Sequence, residues 1–106
     1  MRYYKQKGYN SSFPDEIITW KFGEKIPEWL SDKAKVSFVD GEGNITLDTN
    51  DTTTGGFEVI DSTGSSVLVR VESKRDSVCV DKKNTGGRIF PLSEKQLDLL
   101  YREINK

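Results

Sequence analysis

The 106-residue chain contains no histidine, and its only thiol is Cys79. The first absence removes the commonest general base and metal-binding side chain, and with it any Ser/His/Asp or Cys/His arrangement. The second leaves no partner for an internal disulfide. Cys79 stands inside an apolar run, where a buried thiol is expected rather than a nucleophile. No charged-then-apolar leader and no long apolar run occur, so the expectation is a soluble, cytoplasmic protein without a membrane partner. Apolar residues make up 34% of the chain, and its nine glycines bring the composition close to that of an ordinary globular protein. One core is expected, in a single domain spanning residues 1–106.

Motifs that carry chemistry are equally scarce. Asp40-Gly-Glu-Gly-Asn44 alternates oxygen ligands like the opening of a calcium loop, but the sixth position is Ile45 and the twelfth is not Glu. Gly55-Gly56 and Gly86-Gly87 lack the spaced glycines, following lysine and helix start of a phosphate loop, and read as turns. Asp48 and Asp51 could flank a substrate, yet their Thr- and Gly-rich surroundings offer nothing to separate two carboxylate pKa values. No catalytic residue, metal ligand or cofactor site is assigned, and the protein is expected not to be an enzyme.

What the chain does have is strand pattern. From Gly64 to Pro91 three runs, Ser66 to Glu72, Ser77 to Asp81 and Arg88 to Pro91, are dense in β-branched residues and separated by turn formers, which predicts one sheet built around them. Val67, Val69 and Val71 alternate with Leu68, Arg70 and Glu72. Glu16 to Phe22 predicts a strand with Ile18, Trp20 and Phe22 on one face. Lys35 to Val39 and Asn44 to Asp48 flank Asp40-Gly-Glu-Gly43 as a hairpin. Asn50 to Gly56 reads as a loop, and Phe57 to Ile60 enters the sheet before a turn at Asp61-Ser-Thr-Gly64. The tyrosines at 3, 4 and 9 suggest an edge segment over the first dozen residues.

Two helices complete the reading. Ile26 to Lys33 is short, with Pro27 placed at the first helical position. Ser93 and Gln96 form a capping box with Leu92 stapled against Leu97, and Leu97, Leu100, Tyr101 and Ile104 continue as one apolar stripe. The fold class is therefore α+β. It is a mainly antiparallel sheet of about five to seven strands, with the carboxyl-terminal helix on one face and the short helix near residues 27–33 at an edge.

Charge is uneven. Residues 36–72 carry seven carboxylates against Arg70 alone, giving -6, whereas the flanking thirds are +2 and +3. Asp40, Glu42, Asp48, Asp51 and Asp61 are the candidate partner-binding residues if they line one surface, which would draw a basic protein. Lys74, Arg75, Lys82, Lys83 and Arg88 are the candidates for a small anionic ligand. Their loops lack aromatics, which weighs against direct nucleic-acid binding.

Tyr4-Lys-Gln-Lys7 leads to Ile17-Ile-Thr-Trp20, then Gly23, a short helix and Gly43-Asn-Ile-Thr-Leu47. A Gly-rich turn into Val67-Leu-Val-Arg70 follows, with Arg88-Ile-Phe-Pro-Leu92 before a Ser-capped helix carrying Tyr101. In this order and spacing, from Tyr3 to Ile104, the chain resembles small phage-encoded proteins of the PGDYG type. It departs from them at Thr63-Gly-Ser-Ser66, where the family has Pro-Gly-Asp and an aromatic, and in its extra strand from Ser77 to Asp81. No functional residue carries over. The resemblance implies a phage accessory protein in the host cytoplasm that blocks a host defence protein. Combined with the acidic block, it gives the expectation of a non-catalytic inhibitor of a nucleic-acid-handling effector. The competing expectation is a sponge that sequesters an anionic signalling nucleotide through the Lys/Arg loops.

Overall fold

The computed structural model describes residues 1–39, 43–49, 56–64 and 66–104. Among them the order is β1 (Arg2–Gln6), β2 (Glu16–Trp20), α1 (Glu28–Ser31), β3 (Ala34–Phe38), β4 (Asn44–Thr49) and β5 (Glu58–Thr63). β6 (Ser66–Glu72), β7 (Asp76–Asp81), β8 (Ile89–Ser93), α2 (Glu94–Leu100) and β9 (Tyr101–Ile104) follow. The fold is α+β, and every strand pair is antiparallel. The strands divide into a five-stranded sheet, β8-β7-β2-β1-β9, and a four-stranded sheet, β3-β4-β6-β5.

The five-stranded sheet is the middle layer. Ile18, Trp20, Val78, Val80 and Ile89 project from one of its faces onto Ile45, Leu47, Val69 and Val71 of the four-stranded sheet, with Leu30 of α1 and Phe57 closing the same core. From its other face Tyr4, Ile17, Cys79, Leu92 and Tyr101 meet Leu97 of α2. Being covered on both sides is why β2 and β7 read as nearly continuous runs, Ile-Ile-Thr-Trp and Ser-Val-Cys-Val, whose residues are all buried. The four-stranded sheet has only one covered face, so β6 alternates: Val69 and Val71 are buried and Arg70 is exposed.

Several expectations change at this level. The three central runs do not share a sheet: Ser66–Glu72 lies in the smaller sheet, the next two in the larger, and the turn at Ser73–Arg75 carries the chain between layers. The one-sided pattern of β6 against the two-sided pattern of β7 is the physical reason. The tyrosine segment is no edge, because β1 lies between β2 and β9. Strand β2 stops at Trp20, so Phe22 leaves the core face, stays exposed and stacks on Phe38 with centroids 5.0 Å apart. Helix α1 is a single turn, with Pro27 at its N-cap rather than inside it. Strand β5 runs through Asp61 to Thr63, leaving only Gly64, at φ 60°, as the described turn residue.

The capping box of α2 forms as expected, with the Ser93 side chain accepting from the Gln96 N–H at 3.2 Å and Gln96 Oε1 accepting from the Ser93 N–H at 3.0 Å. The stripe does not continue as helix. Tyr101 turns extended, at φ -130° and ψ 157°, and pairs with Gln6. Tertiary pairing with β1 overrides the helical period there. Among the described residues no helix is long and apolar enough to cross a membrane.

Candidate functional site

Strand register decides which carboxylates share a face. Directly opposed residues point to the same side of a sheet, and Lys35, Asp48, Leu68 and Asp61 form one cross-strand row through β3, β4, β6 and β5. The next row is Ser37, Thr46, Arg70 and Glu58, and Glu72 stands opposite Asn44 beyond it. Because Ile45, Leu47, Val69 and Val71 fill the core side, these rows make up the outer face. That face carries Asp48, Glu58, Asp61 and Glu72 against Lys35 and Arg70. A bulge between Val59 and Asp61 is essential, since strict alternation from Glu58 would have turned Asp61 inward.

Within this face Glu58, Asp61, Lys35 and Arg70 are exposed. Asp48 is half-buried, and its Oδ1 is buried without accepting a hydrogen bond. Glu72 pairs with Arg75 through Oε2 and Nη2. The remaining acidic candidates, Asp40, Glu42 and Asp51, lie outside the described residues.

The five candidate cations fall into two groups. Lys74 and Arg75 occupy the turn before β7, whereas Lys82, Lys83 and Arg88 follow it. The six residues of β7 hold the groups apart by roughly 20 Å. Arg75 is engaged by Glu72, and Lys82 lies 3.6 Å from Glu16 and 5.7 Å from the Tyr3 ring centroid. The side chains of Lys74, Lys83 and Arg88 have neither hydrogen bond nor ion pair among the described residues, and of these three it is Arg88 that borders a groove.

Arg88 lines a groove of about 720 Å³ beside β8, with Phe13, Pro14 and Phe90 as its apolar wall and Pro91 and Asn84 also on its border. The rings of Phe13 and Phe90 are tilted by 48° at 6.4 Å. Sequence pattern placed neither these wall residues nor the residues that hold them in a site. The buried amide of Gln6 donates from Nε2 to the carbonyls of Asn10, Phe13 and Pro14 at 3.0, 2.9 and 3.1 Å, while its Oε1 accepts from the Asn10 N–H at 2.8 Å. The Tyr101 hydroxyl donates to the Pro14 carbonyl at 2.6 Å, and burial pushes its phenol up to about 12. A lone Gln in a strand carries no periodic signal, so nothing in the sequence marks its role.

The aromatic residues elsewhere are mainly structural. Trp20 is core and donates its indole N–H to the Glu24 carbonyl at 3.1 Å, Tyr4 is buried, and only Tyr9 stands well exposed. Cys79 is fully buried, and burial pushes its thiol well above the ordinary range, which keeps it protonated and inert. Among the described residues no His/Cys/Asp/Glu group is arranged to hold a metal ion. In comparisons with known proteins the chain matches no family model, no curated protein and no solved structure, and the PGDYG resemblance gains no support from them.

Proposed function

We propose that this protein is a non-catalytic inhibitor that binds a basic, nucleic-acid-handling host protein through the outer face of the four-stranded sheet. The observation that carries the reading is the row that sets Asp48 and Asp61 on one face with Glu58 and Glu72 in neighbouring rows. A cationic channel built to neutralise phosphates is the surface such an array complements, and occupying it would exclude DNA or RNA. The lack of histidine and the burial of the one thiol favour binding over chemistry. A sponge formed by all five candidate cations is disfavoured by their separation along β7.

The test is affinity capture from bacterial lysate with the protein and its Asp48→Asn/Glu58→Gln/Asp61→Asn variant as baits. A nucleic-acid-binding protein retained by the parent, lost with the variant and released by added DNA is the expected result. A partner held equally by both baits and indifferent to DNA would contradict the proposal.

A further inference from the structure

We propose that the groove beside β8 is a binding site for a small molecule with a planar apolar body and one anionic head group, held at Arg88. This site lies outside the acidic sheet face and would operate with or without the partner proposed above. Its volume of about 720 Å³ falls in the range of small-ligand pockets. Phe13, Pro14 and Phe90 supply an apolar wall for a flat body, with Pro91 at the strand edge, and Arg88, unpaired among the described residues, supplies the charge that selects an anion. Two carboxylates also border the groove, but each is tied to a main-chain amide. Asp76 Oδ2 accepts from the Glu72 N–H at 3.3 Å, and Asp81 Oδ1 accepts from the Lys83 N–H at 2.9 Å.

Strand geometry selects a small ligand over an extended peptide. The Glu94 N–H donates to the Arg75 carbonyl at 2.7 Å, so by alternation Leu92 and Phe90 turn their backbone groups toward β7, while Ile89, Pro91 and Ser93 turn theirs to the free edge. Pro91 has no N–H, and the Ser93 N–H is taken by Gln96. An added strand would find Ile89 as the only donor along that edge, which is how edges are closed to strand addition. The wall itself is pre-formed, since Gln6 and Tyr101 fix the carbonyls of Asn10, Phe13 and Pro14 before any ligand arrives.

Fluorescence titration with anilinonaphthalene sulfonate, a planar aromatic anion, and with phenylnaphthylamine, its uncharged counterpart, separates the two elements of the site. The sulfonate should bind saturably at one site. Arg88→Gln should weaken it at least about tenfold while leaving the neutral probe within about twofold. Arg88→Lys should fall between parent and Arg88→Gln, and Phe90→Leu should weaken both probes. Displacement of the sulfonate by benzoate, by phenyl phosphate or by both supports the site and identifies the head group it takes. Equal affinity of the sulfonate for parent and Arg88→Gln, or displacement by neither competitor, overturns the proposal.

Discussion

A single amide, Gln6, holds more of the loop between β1 and β2 than any other side chain, because its two polar ends meet three carbonyls and one amide N–H of residues 10 to 14. Gln6→Ala should therefore lower stability by about 1–3 kcal/mol, the cost of leaving such groups unpaired, and speed hydrogen exchange at the Asn10 amide. Tyr101 and Cys79 make a second, pH-dependent contribution. Both groups are raised by burial from ordinary values of 10.0 and 9.0, so the native protein keeps protons that the unfolded chain has already shed. Stability is complete below pH 9 and declines as pH rises, by about 1.4 kcal/mol per pH unit for each group. The Tyr101 part is lost between pH 10 and about 12. Urea unfolding across this range should show the decline, and Tyr101→Phe should make it shallower above pH 10, leaving the Cys79 part, while costing about 1 kcal/mol at pH 7 through the lost bond to Pro14. The burial of Cys79 was legible in its apolar run, but the roles of Gln6 and Tyr101 were not. A buried Gln and a tyrosine placed by a strand rather than a helix leave no local mark.

At the level of elements, local chemistry was readable wherever it acts locally. Ser93 and Gln96 announce the start of α2, and Leu92 and Leu97 fall in one core cluster as a staple requires. The end of the helix was not announced, because no Gly or Pro follows Leu100 and the apolar spacing runs on through Tyr101 to Ile104. What stops the helix is β1, which pairs its Tyr3–Gln6 segment with Tyr101–Ile104. Leu97, buried beside Cys79 and Tyr101, should cost about 2–5 kcal/mol when replaced by Ala. Leu100→Ala should cost less, since Leu100 is only half-buried at the rim of the same cluster. Chemical denaturation of the two variants checks the order, and equal losses would mean that the stripe packs as one unit.

For the whole molecule, alternation identified antiparallel strands with a helix on one face, but not their division into two sheets. The clue was present in β2 and β7, whose unbroken burial belongs to a layer covered on both sides, yet such a run looks the same in any core strand. The acidic block was equally visible as charge and invisible as a surface. Whether Asp61 joins Asp48 depends on one bulge at Ile60, and a bulge shifts register without leaving a composition signal. Steering of a basic partner by this outer face, as proposed above, is tested most directly by association kinetics with the captured partner across ionic strength. The parent should associate at least about tenfold faster than Asp48→Asn/Glu58→Gln/Asp61→Asn in about 50 mM salt, and the two should converge in about 500 mM salt. Equal rates at low salt, or a difference that persists unchanged at high salt, would contradict the account.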